Sequence, residues 1–226
     1  MWNFVDTLST MVTKAGLANR IFSDRQLEDV LGGSDARRYG LVNRALKEGA
    51  LHRLKRGSYV LDRRYRSELI HPFVVAQALR PGSYVSFETA LSHHGWIPEG
   101  VFTTASVSPG RKTISYDVPI FGHFGFHPLA LQDYQFLVDV KRAAMGSRPA
   151  LVANPLRALM DLVALRKERW SGLGWILDGM RIDEAQLRTL RSRDFTALEL
   201  VYKHKAVIAF LDHLRSAVLS MKAELH

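Results

Sequence analysis

A chain of 226 residues, 47% apolar, is long enough for one large domain or two small ones and can build a core, which excludes a wholly disordered protein. Lys and Arg outnumber Asp and Glu by 31 to 22, a net charge of +9 with a pI near 10.0, which favours a polyanionic partner, nucleic acid most simply. Cysteine is absent, which excludes disulfides, thiolate zinc ligands and cysteine nucleophiles and fits a reducing cytoplasm.

Phe4, Leu8, Met11, Val12 and Ala15 recur at helical spacing and predict an amphipathic helix over 3–15, stopped at Gly16. In "IFSDRQLEDVLGG", Ser23 and Gln26 form a capping box, Phe22 staples onto Leu27, and Gly32-Gly33 end the second helix. Ser34 caps a third helix over Asp35 to Glu48, whose apolar side is Leu41, Val42, Ala45 and Leu46. Arg38 falls nearer that side and has to snorkel, and an outward Gly40 weakens the helix by about 1 kcal/mol against Ala. "GALHRLKRGSYVL" then reads as a β-hairpin, Leu51 to Leu54 and Ser58 to Leu61, turning at Lys55-Arg56-Gly57. Three helices and a hairpin are the order of a winged helix-turn-helix. Ser34 to Arg66 carries ten Lys and Arg against three Asp and Glu, so much of the basic excess is local.

The polar stretch "DRRYRSELIHP" reads as a linker. It divides an N-terminal domain, 1–66, from an α+β C-terminal domain, 67–226. Beyond it, Pro72 opens a helix through Leu79, and "RPGSYVS" is a turn and short strand. Ser86 caps "FETALSHHGW", which ends at Gly95. "FTTASVSP", "KTISYDVPIFGHFGFHPL", "QFLVDVKRA" and "RPALVA" are strand-like. Asn154 caps and Pro155 opens a helix to about Lys167 with Leu159 and Val163 in the core, as Leu91 is in the Ser86 helix. From Ile182 onward two or three helices follow, with Leu200, Val201, Val207, Ile208, Leu211, Leu214 and Val218 as the buried face. Asp161 interrupts "LRALMDLVAL", so no run approaches membrane-spanning length. "MWNFVDTLST" carries Asp6 and no basic n-region, so no secretory signal is expected. A cytoplasmic location and no membrane partner are the expectation.

Three stretches carry a resemblance: "LKEGALHRLKRGSYVL", "GSYVSFETALSHHGWIPEG" (82–100) and "ANPLRALMDLVAL" (153–165), the last including Asp161. In order and over nearly the whole chain they resemble the AbiEi-type antitoxins of abortive-infection (type IV) toxin–antitoxin systems. The resemblance implies an N-terminal DNA-binding domain that represses its own promoter at inverted repeats. It also implies a C-terminal domain tied to antitoxin activity, and a neighbouring nucleotidyltransferase toxin as functional partner. A stand-alone regulator without a toxin is the alternative.

Enzymatic signatures are weak. There is no G-x-S-x-G elbow, Walker A loop or G-x-G-x-x-G. His93-His94 point apart on a helix, and His123 and His127 lie some 13 Å apart on a strand, so neither pair makes a metal site. Asp117, Asp139 and Lys141 are the only set resembling a Mg²⁺-dependent nuclease centre. Tyr59, Tyr65, Trp96 and the Phe121–Phe126 run could stack bases of single-stranded nucleic acid, although strand aromatics more often form core. The expectation is therefore a non-enzymatic binder of double-stranded DNA without catalytic residues, metal or cofactor. Arg37, Tyr39, Asn43 and Arg44 are assigned to base edges, and Lys47, Arg53, Lys55 and Arg56 to phosphates.

Overall fold

Leu8 and Val12, one turn apart on α1 (Phe4–Lys14), are fully buried, and around them forms the core of a first compact unit. The computed structural model describes residues 4–223; Asn3 of the expected first helix, and the side chain of Phe4, lie outside what is described. Ala15 follows the helix and is exposed. A two-residue strand, β1 (Phe22–Ser23), leads directly into α2 (Asp24–Leu31). The capping box forms as expected: the Gln26 amide donates to Ser23 Oγ, and the Ser23 amide donates to Gln26 Oε1 at 2.9 Å. α3 (Asp35–Lys47) starts at Ser34, whose hydroxyl accepts from the Arg37 amide. β2 (Leu51–Lys55) and β3 (Ser58–Leu61) form the hairpin. β1 adds to β3, giving a three-stranded sheet in the order β1-β3-β2. Two residues are too short to display a strand period, so β1 is invisible in the sequence pattern.

The chain divides into Met1–Leu79 with Met145–Arg148, and Arg80–Ala144 with Pro149–His226. The expected boundary at 66/67 therefore falls inside the first unit. Residues 62–71 are polar in sequence but tied down. Asn19 Oδ1 accepts from the amides of Ser67 and Glu68, and Asn19 Nδ2 donates to Ser67 Oγ at 2.6 Å. α4 (Pro72–Leu79) completes this unit, and the Lys55 ammonium donates to its last carbonyl, Leu79 O, at 2.8 Å.

The second unit is built on a mixed six-stranded sheet. Its strands are β4 (Tyr84–Val85), β5 (Thr103–Val107), β6 (Ile114–Val118), β7 (Gly122–His127), β8 (Val140–Met145) and β9 (Arg148–Ala153), in the order β6-β7-β5-β4-β9-β8. β4 runs parallel to β9 and β5 to β7, while β4–β5 and β6–β7 are antiparallel. Helices α5 (Phe87–His93), α6 (Pro155–Arg166), α7 (Glu184–Thr189), α8 (Ser192–Thr196) and α9 (Lys205–Ala223) complete it, with a short π-helical turn at Trp175–Gly179. The chain is thus α+β.

Local expectations in this unit are corrected in three places. The strand expected from Gln135 begins only at Val140, because 135–139 is a turn segment with Asp139 in the left-handed region. Ser86 and Asn154 occupy the N-cap positions of α5 and α6 without capping through their side chains. The Ser86 hydroxyl donates to Asp161 instead, and the Asn154 amide donates to Asp139. Leu200 is 74% exposed, because it sits in a turn before α9 where helical spacing does not apply; Phe210 fills the α9 core face.

Candidate nucleic-acid interface

α2, α3 and the hairpin frame a groove of about 380 Å³. Tyr39 and Asn43 line it from α3, and Arg53, Arg56 and Gly57 from the hairpin. Half of the expected contact residues thus share one concave surface. Tyr39 is 73% exposed, although a phenol ordinarily buries its ring. Arg53 keeps its guanidinium 5.6 Å from the Tyr59 ring centroid, which orients it while leaving the residue exposed. The tight turn requires glycine at 57. Its φ is +74°, and a Cβ there would come within 3.0 Å of an Asp24 carboxylate oxygen. That approach holds the hairpin tip against the start of α2.

Arg37, Arg44 and Lys47 are exposed on α3 but do not line the groove. Arg37 reaches back, and its Nη1 donates to Leu31 O at 3.3 Å, closing the end of α2. Gly40 is exposed, and a Cβ at that position would meet nothing within 4 Å, so no internal contact demands the glycine.

Lys55, expected at phosphates, has a partner within the first unit. Its ammonium donates to Leu79 O at 2.8 Å. The β2–β3 register shifts between Arg53 and Lys55, an irregularity of the kind that re-aims side chains. Other cations of the 34–66 run are likewise committed locally. Arg38 is held by Asp35 and Gly33 O, Arg63 donates to Arg66 O, and Arg64 donates to Asp62 and Gly49 O. Arg66 is 8% exposed. The exposed cations of this run are Arg37, Arg44, Lys47, Arg53, Arg56, Arg63 and Arg64, of which Arg37, Arg63 and Arg64 are hydrogen-bonded as described. Asp24, Glu28 and Asp35 also line the groove, so its walls are close to charge-balanced. The three carboxylates share the lining with three guanidiniums, Arg38, Arg53 and Arg56.

At the base of the hairpin, His52 Nε2 lies 2.8 Å from Asp62 Oδ2. Burial alone would raise the Asp62 carboxyl, but hydrogen bonds from His52 and Arg64 overcome it and hold the carboxyl well below the usual range. The base-stacking candidates are largely core. Tyr59, Trp96, Phe124 and Phe126 are all buried.

In the second unit the weak nuclease set is not assembled. Asp117 lies on β6 and Lys141 on β8, at opposite edges of the sheet, so five strand spacings of about 4.8 Å separate them. Asp139, next to β8, is bonded by Asn154, and Asp117 lies 3.4 Å from His123. Among the described residues no group of three or more His, Asp and Glu could hold a metal ion, and no helix is long and apolar enough to cross a membrane.

One polar cluster escaped the sequence reading. Arg157 and Asp161, one turn apart on α6, are both fully buried and paired at 2.8 Å. Asp161 also accepts from the hydroxyls of Tyr84, Ser86 and Tyr202 at 3.0, 2.7 and 2.8 Å. Arg157 donates to Tyr84 Oη at 2.6 Å and to the carbonyls of Val138 and Gln135 at 2.8 and 3.4 Å. Burial works against the charge of Arg157, yet Asp161 and the two tyrosines more than offset it, so the guanidinium holds its proton more firmly than a free arginine. Burial, with Asp161 beside them, pushes the phenols of Tyr84 and Tyr202 well up. Every member is satisfied and none reaches solvent, which makes the cluster a structural lock. Tyr84 and Ser86 come from stretch 82–100 and Arg157 and Asp161 from stretch 153–165, so two of the recognisable motifs meet here. The readable signal was an Arg and an Asp four apart inside an apolar helix.

No family model matches the chain, and comparison with curated proteins finds no match. Among solved structures, the fold is similar to that of the crystal structure of the RV2827C protein from Mycobacterium tuberculosis. The TM-score is 0.55 at 13% identity, covering 94% of this chain and 77% of that one. At that identity the likeness concerns the fold alone.

Proposed function

We propose that the protein is a sequence-specific double-stranded DNA-binding regulator whose first unit acts as a winged helix-turn-helix. We further propose that it represses its own promoter and serves as the antitoxin of a type IV, nucleotidyltransferase-linked phage-defence system in the cytoplasm. The observation that carries the DNA-binding reading is the shared groove, lined by exposed Tyr39 and half-buried Asn43 on α3 and by Arg53 and Arg56 on the hairpin. An exposed phenol and a carboxamide on one helix supply hydrogen bonds to base edges, and flanking guanidiniums supply phosphate contacts. The antitoxin part rests on the resemblance of the three stretches alone. The protein works by binding, without metal, cofactor or catalysis.

The test is fluorescence anisotropy with the protein's own promoter and with a random duplex of equal length at matched salt. Promoter affinity at least a hundredfold above random is expected, weakening steeply with salt. Equal affinities would refute specificity. Rescue of growth on co-expression with a nucleotidyltransferase encoded beside the gene tests the antitoxin part separately.

A further inference from the structure

A second cleft of the first unit, about 320 Å³, lies away from the groove just described. Its walls are the α1–β1 connector (Asn19, Arg20, Ile21), Gln26 of α2, residues 69–71, Val74 and Ala78 of α4, and the Met145–Arg148 turn, which belongs to this unit. Ile21, Ile70, Val74, Ala78 and Met145 make an apolar lining. Two guanidiniums, Arg20 and Arg148, also line it, and neither has an ion pair or hydrogen bond among the described residues. The lining contains no Asp or Glu. This composition is unlike the DNA-facing groove, where three carboxylates share the walls.

His71 adds a donor of known sense. The Phe73 amide donates to its Nδ1 at 3.2 Å, so the neutral ring carries its proton on Nε2. Burial lowers the His71 pKa, which keeps the ring neutral at pH 7. Arg148 and Ser147 are held in place by a tight β8–β9 turn in which Gly146 takes φ +70°. The cleft therefore combines two unneutralised guanidiniums, hydroxyl and imidazole donors and an apolar lining, at the small end of ligand-pocket sizes.

We infer that this cleft binds a small organic anion, a carboxylate or phosphate carried on an apolar body, with Arg20 and Arg148 taking the oxyanion and the aliphatic side chains taking the body. Guanidinium forks match both oxyanions, and with no carboxylate in the lining nothing competes for them. Its place in the fold makes it an effector site. Arg20 and Ile21 run straight into β1, and Gln26 is the reciprocal half of the α2 capping box. Occupancy thus bears on the elements that support α3. This effector role rests on the DNA-binding reading; anion binding itself does not.

The experiment uses the full chain, labelled with ¹⁵N, titrated with phenyl phosphate, with benzoate and with neutral benzyl alcohol. The expected result is saturable shifts centred on residues 19–26, 69–78 and 145–148 for at least one anion, and none with benzyl alcohol at equal concentration. Arg20→Gln and Arg148→Gln should each weaken that binding at least tenfold, with circular dichroism unchanged because both residues lie outside the core. The two anion arms distinguish a phosphate ligand from a carboxylate one. Absence of saturation with both anions, equal binding of benzyl alcohol, or shifts centred elsewhere would overturn the site. Loss of random-duplex affinity in Arg20→Gln with neither anion binding would overturn it too, by giving these cations to backbone phosphates. Promoter anisotropy at saturating anion reads the effector role: a change of threefold or more supports it, and no change overturns it. A failure of promoter binding without any anion is a failure of the DNA-binding reading and leaves the titration intact.

Discussion

Lys55 and Arg56 are neighbours in sequence with the same charge, yet the structure gives them different work. The Arg56 side chain lines the α2–α3–hairpin groove, while the Lys55 ammonium is 2.8 Å from Leu79 O. A cation already bonded to a carbonyl adds little to counterion release on duplex binding. Lys55→Ala is therefore expected to leave the salt dependence of duplex binding unchanged and to cost about 1–2 kcal/mol of folding stability, as loss of a charged hydrogen bond does. Arg53→Ala with Arg56→Ala is expected to do the reverse, flattening the slope of log K against log salt by up to about two units with little change in stability. Anisotropy titrations over a salt series and urea denaturation of the same variants check both. A flattened slope in Lys55→Ala would return that residue to the phosphate contacts.

At the scale of the element, α6 is held by its own polar residues rather than by apolar burial alone. Leu156, Leu159, Met160 and Val163 bury one helix, but Arg157 reaches from it to β4 through Tyr84 and to the 135–138 segment through three carbonyls. Asp161 receives four donors, so its removal leaves a buried guanidinium without its counter-charge and takes an acceptor from three buried hydroxyls. Asp161→Ala is expected to destabilise the protein by about 3–5 kcal/mol, against about 1 kcal/mol for Tyr202→Phe, which loses a single donor. Urea denaturation measures both. Faster amide hydrogen exchange at Val138 and Val140 in Asp161→Ala would accompany the loss, because Arg157 holds that turn. A cost below 1 kcal/mol for Asp161→Ala would mean that apolar packing holds α6 without the lock.

On the scale of the whole molecule, the chain's two compact units meet at Leu79/Arg80 in sequence, with Met145–Arg148 assigned to the first. Residues 67–79 contribute hydrogen bonds to Asn19 and Lys55 as well as buried Phe73 and Val75. A fragment ending at residue 66 loses all of these. A fragment of residues 1–79 is expected to melt at least about 10 °C above one of residues 1–66, since each kcal/mol moves the midpoint of so small a domain by roughly 4–8 °C. Thermal circular dichroism on the two fragments decides it. Equal midpoints would mean that 67–79 contributes nothing to the first unit's stability.

Local chemistry sufficed wherever the controlling partner lay within one helical turn or one hairpin. The Ser23–Gln26 box, the Ser34 cap, the Gly57 turn and the burial of Leu8, Val12, Leu159 and Val163 were all readable, because capping, turn φ and helical periodicity are short-range properties. Only the tertiary structure decided which charges face solvent. The basic run 34–66 looks uniform in sequence, but Lys55 is bonded to Leu79 O and Arg64 to Gly49 O, carbonyls 24 and 15 residues away that the fold brings to them. Likewise Ser86, Asn154 and Asp161 have ordinary sequence readings as caps and a hydropathy break. The hydroxyls that Asp161 accepts from, Ser86 among them, lie 41 to 77 residues away, and periodicity carries no information about contacts at that range. The unit boundary shifted for the same reason: a polar segment is a linker only if nothing distant bonds it, and Asn19 bonds Ser67 across 48 residues.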